Sequence, residues 1–241
     1  MYRSRTLAIV LAAFTTLLAG CAGMQPTQFN VNLDSISRAD SSSKRSYLLM
    51  PGNKDTNAND LQFQEYASYV HRALAARGFV QAEDFDSANI LLFLSYGIGN
   101  PQNHQYTYSL PVWGQTGYSG STSYGTLNTY GGYGTYSGTT TYTPTYGVTG
   151  YTSNVGSYTT YFRFIVLDAY DVGTYKREQK LDQVWRSTVT STGSSGDLRR
   201  VFPVMVAGVY NHLASNTGQR VGVTLDETNP AVALIKGVPT K

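Results

Sequence analysis

The 241-residue chain has one cysteine, Cys21, and three histidines, His71, His104 and His212. A lone cysteine excludes a disulfide framework within the chain. The histidines are scattered, without the closely spaced His, Cys, Asp or Glu that a zinc site needs. His71 and His212 fall on segments with helical spacing, where partly exposed histidine is common. His104 lies in an uncharged loop. Charge itself is scarce: Asp, Glu, Lys and Arg make up 14% of the chain, against roughly 25% in typical domains. Residues 87–162 contain none. The net charge of +3 gives no reason to expect nucleic acid or an anionic membrane surface as a partner. "GSSGD" at 193–197 lacks the Gly-x-Ser-x-Gly spacing of a nucleophile elbow and reads as a turn and helix cap. "GIGNPQ" at 97–102 fails the dinucleotide fingerprint. Asp168 and Asp171 straddle a strand end without the ordered ligand set of a calcium loop. The expectation is no catalytic residue, no metal, no cofactor and no small-molecule substrate, with a concealed hydrolase as the one enzymatic alternative.

The N-terminus carries an address. Arg3 and Arg5 precede an almost wholly apolar run from Leu7 to Leu18. Small residues then lead into Cys21, the pattern of a secretory signal peptide. The run is shorter than the roughly 20 apolar residues of a membrane span. Leu18-Ala19-Gly20-Cys21 resembles the lipobox of bacterial lipoproteins. That resemblance implies cleavage after residue 20, with diacylglycerol and an N-acyl lipid on Cys21, and so a membrane partner through the anchor. Each buried methylene contributes about 0.8 kcal/mol, so several chains together hold stably. No aspartate follows the cysteine, which in the family's sorting rule favours the outer membrane. Residues 21–45 are polar and Ser-rich and read as a lipidated tether. Removing 1–20 leaves 221 residues with a side-chain balance of +1, enough for one domain with a real core.

Downstream the pattern alternates. Tyr47 to Met50 reads as a strand stopped by Pro51-Gly52. Phe63, Tyr66, Ala67, Val70, Ala73 and Leu74 lie on one face of a helix. Asn59 or Asp60 can cap it, and Gly78 ends it. "NILLFLSYG", "TTYFRFIVLDAY" and "DQVWRSTVTST" read as strands, with "DVGTYKREQKLD" as a hairpin loop between the last two. Leu198, Val201, Phe202, Met205, Val209 and Leu213 give a second helix capped by Asp197. Pro203 implies a kink or a later start. "RVGVTL" reads as an edge strand, and 227–241 as a tail. The order β-α-β-insertion-β-β-α predicts an α+β fold: a two-layer sandwich, over 46–226, of a mostly antiparallel sheet with two helices. Both faces of "ILLFL" are apolar. Two helices cover one; the other calls for the tyrosine-rich segment, a partner or a second copy.

The uncharged window holds a biased insertion, 102–156, rich in Tyr, Gly, Ser and Thr. Twelve of the 20 tyrosines fall between Tyr106 and Tyr161. In "TTTYTPTYG" Thr and Tyr/Pro alternate with period 2, which suggests extended hairpin arms; a flexible linker is the plainer alternative. Tyrosine offers large contact area at low entropy cost, and is favoured in recognition surfaces mixed with Ser and Gly. Without charge, such arms can self-associate. Candidate binding residues are Tyr130, Tyr133, Tyr136, Tyr142, Tyr146 and Tyr151.

The flanks carry a wider resemblance. The Arg77-Gly78-Phe79 end of the first helix, "ANILLFLSYG", "VWRSTVTSTGSSGDLRRVFPVM" and "TGQRVGVTLDE" resemble bacterial lipoproteins with the domain of unknown function 4136, over about 44–100 and 157–226. The resemblance implies a fold and a location, not a chemistry. The combined expectation is a non-enzymatic outer-membrane lipoprotein on the periplasmic face. Its tyrosine-rich arm docks an envelope protein or a second copy. Glycan binding, to peptidoglycan or surface polysaccharide, is the alternative.

Overall fold

The computed structural model describes residues 26–130 and 133–239, with side chains outside 127–136. The chain divides into two compact units: the second is Gln102–Thr159, and the first is formed by the chain up to Pro101 and from Thr160 onward.

The first unit is α+β, as the sequence pattern predicts. Strands β1 (Gln28–Ser37), β2 (Ser46–Pro51), β3 (Val80–Gln81), β4 (Ile90–Ile98), β7 (Gln183–Gly193) and β8 (Val221–Asp226) share one sheet with the distal end of β6 (Tyr133–Asp171). The order is β3-β2-β4-β6-β7-β1-β8. β2 pairs in parallel with β3 and β4; the other pairings are antiparallel. Helices α1 (Leu61–Ala76), α3 (Leu198–Val209) and α4 (Pro230–Lys236) share one core with the sheet face lined by Leu33, Leu92, Leu94, Ile165, Leu167 and Val189. A parallel β2–β4 pair needs a crossover connection, and α1 supplies it.

Local chemistry sets the ends of α1. Asp60 caps it, its carboxylate accepting from the Gln62 and Phe63 N–H groups at 2.7 and 3.2 Å. Gly78, at φ +78°, turns the chain out, a backbone conformation glycine adopts without penalty. The six apolar positions read from the sequence are its six buried residues. In α3, Asp197 caps through the Arg200 N–H at 3.1 Å. Pro203 lies inside one continuous helix that begins at Leu198, so the later start does not occur. A proline there costs about 3 kcal/mol. Every residue from Val201 to Val209 is buried, and at about 1.5–3 kcal/mol for a large apolar side chain that burial outweighs the loss.

Four expectations are corrected. The segment read as tether, 21–45, contains β1, which lies between β7 and β8 and buries Phe29, Val31, Leu33 and Ser35 in strict alternation. Its polar average arises because every second residue faces away from the core. The segment read as a tail, 227–241, contains α4, which buries Val232 and Ile235. Asn229 caps it, Pro230 opens it and Gly237, at φ +71°, closes it. The loop read between the third and fourth strands contains a short helix, α2 (Val172–Glu178), capped by Asp171. The second face of β4 is covered by the unit's own chain: Leu91 is buried in a cluster with Ala82, Ala88 and Val172, against which Leu48, Phe85 and Phe93 pack.

In the second unit β5 (Gln102–Tyr130) pairs with the proximal part of β6. The two form a ribbon with the extended backbone that the Thr/Tyr alternation suggests.

Candidate functional site

The ribbon is the most unusual surface of the described residues. None of its described side chains is buried. Among described residues β5 pairs only with β6, and β4 and β7 meet β6 only from Tyr161 onward. Over the second unit, therefore, both outer edges carry unpaired N–H and C=O groups, a template for another strand. Asp, Glu, Lys and Arg, which blunt such edges in most proteins, are absent from 87–162.

The strands adhere through small contacts. His104 stacks on Tyr158 at 4.9 Å and Tyr106 lies 6.2 Å from the same Tyr158, between ring centroids. Ser123 and Thr140 hydroxyls meet at 2.8 Å, and Thr159 donates to Asn103 Oδ1 at 2.6 Å. Tyr118 and Tyr142 rings lie 5.1 Å apart. Gly156 is where the Tyr106 ring crosses; a Cβ there would stand 2.6 Å from it.

Of the candidate binding residues, Tyr142, Tyr146 and Tyr151 are exposed at 57%, 70% and 73%. Tyr130 ends β5, Tyr133 opens β6 and Tyr136 lies within it; their side chains are outside the described set. Cys21 lies outside the described residues altogether. Sequence reasoning passed over Trp113 and Tyr124, at 69% and 73% exposure, although both sit in the same uncharged window.

The residues considered for chemistry have structural partners. His71 Nδ1 lies 2.7 Å from the Tyr47 hydroxyl. Burial, with Arg72 adding to it, lowers the His71 pKa, and burial raises that of Tyr47. Asp168 pairs with Arg186 and accepts from Gln183. Asp171 pairs with Lys44 and caps α2; burial pushes its carboxyl up, but these hydrogen bonds leave it below the usual range. No group of three or more His, Cys, Asp or Glu is placed to hold a metal among the described residues.

One buried charge went unremarked in the sequence. Arg163 sits in "YFRFIVL" on the same side of β6 as Ile165 and Leu167, and is 1% exposed. The signal was available: a charged residue at a core-facing position of an apolar strand.

No curated protein matches the chain. Several solved structures are similar to it in part, these two among them. One is a PDZ domain protein from Parabacteroides distasonis, 9% identical with a TM-score of 0.36, over 87% of this chain and 41% of that one. The other is the lysenin pore, 8% identical with a TM-score of 0.11, over 84% and 49%. The chain thus spans less than half the length of either. The family model for the domain of unknown function DUF4136 matches residues 31–210, and the chain belongs to that family.

Proposed function

We propose that this chain is a non-enzymatic lipoprotein of the bacterial outer membrane, anchored by lipid on Cys21, whose ribbon docks a protein partner by strand addition. A second copy, which carries the same open edges, is the first such partner. The observation that carries this reading is the uncharged ribbon, open at both edges and without a buried side chain among its described residues. A two-stranded hairpin alone is marginally stable in water. An added strand satisfies its edge groups, and the tyrosines supply contact area with a hydroxyl handle. The first unit serves as the folded base.

In-cell photocrosslinking from positions 142, 146 and 151, followed by mass spectrometry, tests the reading. Strand addition gives discrete adducts, either to a second copy or to one envelope protein, that vanish when 102–156 is deleted. Crosslinks confined to water or lipid would refute it. The exposed rings of Tyr124, Tyr146 and Tyr151 also favour a second reading, stacking on sugars. In that case the chain cosediments with purified peptidoglycan, and Tyr-to-Ser changes release it.

A further inference from the structure

The buried arginine lines a cleft in the first unit. Arg163 Nη1 donates to the Ser195 carbonyl at 3.2 Å and Nη2 to Ser191 Oγ at 3.4 Å. Nε has no acceptor. Among the described residues no carboxylate lies within ion-pair distance of it, although seven other ion pairs are present. Arginine stays charged in proteins and offers five N–H groups. Removing one partner from a buried ion pair is strongly destabilising because it leaves an uncompensated charge; here the chain places such a charge with no acid beside it. The fold also makes room for it. A Cβ on Gly193 would stand 2.8 Å from Arg163 Nη2, so the strand opposite is glycine where the guanidinium passes.

The cleft is about 460 Å³ in volume. Its wall includes Arg163 from β6, Arg200 from α3, and the hydroxyl-bearing Thr27, Thr192, Ser194 and Ser195. Arg200 is held by Glu227 at 2.6–3.1 Å, so these three charged groups sum to one positive charge. Donors arrive from β6, β7 and the turn after it, α3, and the residue preceding β1. A planar carboxylate is satisfied by one guanidinium edge, whereas a tetrahedral anion can accept from all of them.

We propose that this cleft binds a phosphate group. Two sources present that chemistry: free phosphate or a soluble phosphate ester, and a phospholipid headgroup. Thr27 lies six residues after Cys21, and six extended residues reach about 20 Å. The headgroup source therefore rests on the lipid anchor proposed above, which keeps the cleft near the bilayer; the phosphate site itself does not.

The test uses the full chain, purified in detergent and labelled with ¹⁵N-arginine, with the Arg163 Nε–H resonance as readout. Inorganic phosphate should shift that resonance saturably at millimolar concentration. Arg200→Gln, an exposed change that leaves the core intact, should weaken binding about tenfold, as for loss of one charge-assisted contact. A folded R200Q that binds as tightly as the parent would overturn the two-arginine site. No saturable shift with phosphate, or with phosphatidylglycerol vesicles, would overturn the proposal entirely. If vesicles shift the resonance and added phosphate moves it no further, the headgroup is the source; if vesicles leave it unmoved while phosphate shifts it, the source is soluble. Intact-mass measurement of Cys21 on the same sample judges the anchor separately, whatever the titration shows.

Discussion

The Tyr47 hydroxyl and His71 Nδ1 lie 2.7 Å apart, with their rings stacked at 5.7 Å between β2 and α1. The lowered His71 pKa keeps the imidazole neutral, so Nδ1 can accept from the phenol. Protonation would turn Nδ1 into a donor toward the phenol oxygen and place a buried positive charge beside Arg72.

The sign of the pH dependence follows. The folded pKa of His71 lies below its ordinary 6.5, so the unfolded chain takes up the proton first. Stability is full above about pH 6.5 and falls as the pH drops toward the lowered value. Thermal melts should therefore show Tm decreasing between pH 7 and about pH 5, before carboxylates titrate. His71→Gln should flatten that slope. Below it a second loss is expected. Arg199 hydrogen-bonded to Glu65, and Arg200 to Glu227, hold those carboxyls under their ordinary 4.5, and that support disappears as the pH falls through the lowered values. Both pairs are partly exposed, so their share is small. A flat parent Tm from pH 7 to 5 would refute the His71 assignment.

Phe202 stacks on Tyr66 at 4.0 Å and 6°, and Tyr96 meets both rings edge-on. This cluster joins α3 to α1 and to β4. Burial pushes the Tyr66 hydroxyl up to about 12, as befits a ring held in the core. Phe202→Ala should cost about 3–5 kcal/mol, measured by urea unfolding. A loss below about 1 kcal/mol would mean the helices do not rely on this contact.

Ending the chain after Asp226 removes α4 and with it Val232 and Ile235, both fully buried. The Arg72 guanidinium, which donates to the Ile235 carbonyl at 3.0 Å, loses that acceptor. The truncated chain should be destabilised by several kcal/mol, at about 1.5–3 kcal/mol per large buried side chain. If 227–241 were a dispensable tail, its removal would leave the melt unchanged.

Replacing 102–156 by a short turn should leave the first unit folded. Its sheet register is fixed by β4–β6 and β6–β7 pairing from Tyr161 to Asp171, and loop length enters stability only logarithmically. The expected Tm change is within about 2–4 °C, the shift that roughly 1 kcal/mol makes in a domain of more than about 150 residues. Collapse of the melt would mean that the ribbon is part of the core.

Sequence patterning carried the first unit where apolar residues repeat cleanly. All six buried positions of α1 and the buried strand β4 were legible because their periods are long and unbroken. β1 was not, since "FNVNLDS" alternates and its average is polar; only period 2 reveals it. α4 was legible in principle from Asn229, Pro230 and Gly237, a cap, an opener and a closer, but seven residues fall short of two full helical repeats of apolar pattern. The cover over Leu91 comes from residues 82–88 and Val172, whose meeting depends on tertiary placement that no local pattern encodes. Arg163 was visible as a charge out of phase with its strand, yet the cleft around it gathers residues from four separate stretches of chain.

Amide hydrogen exchange across 102–159 is the most direct measurement, comparing the protein in native membranes with the purified, dilute monomer. Strand addition should slow exchange at the ribbon's outer-edge amides in membranes and leave them fast in the monomer. Lysines placed at Ser119 and Thr143 should abolish that protection. Equal, fast exchange in both states would show that the edges stay open, and would contradict docking through the ribbon.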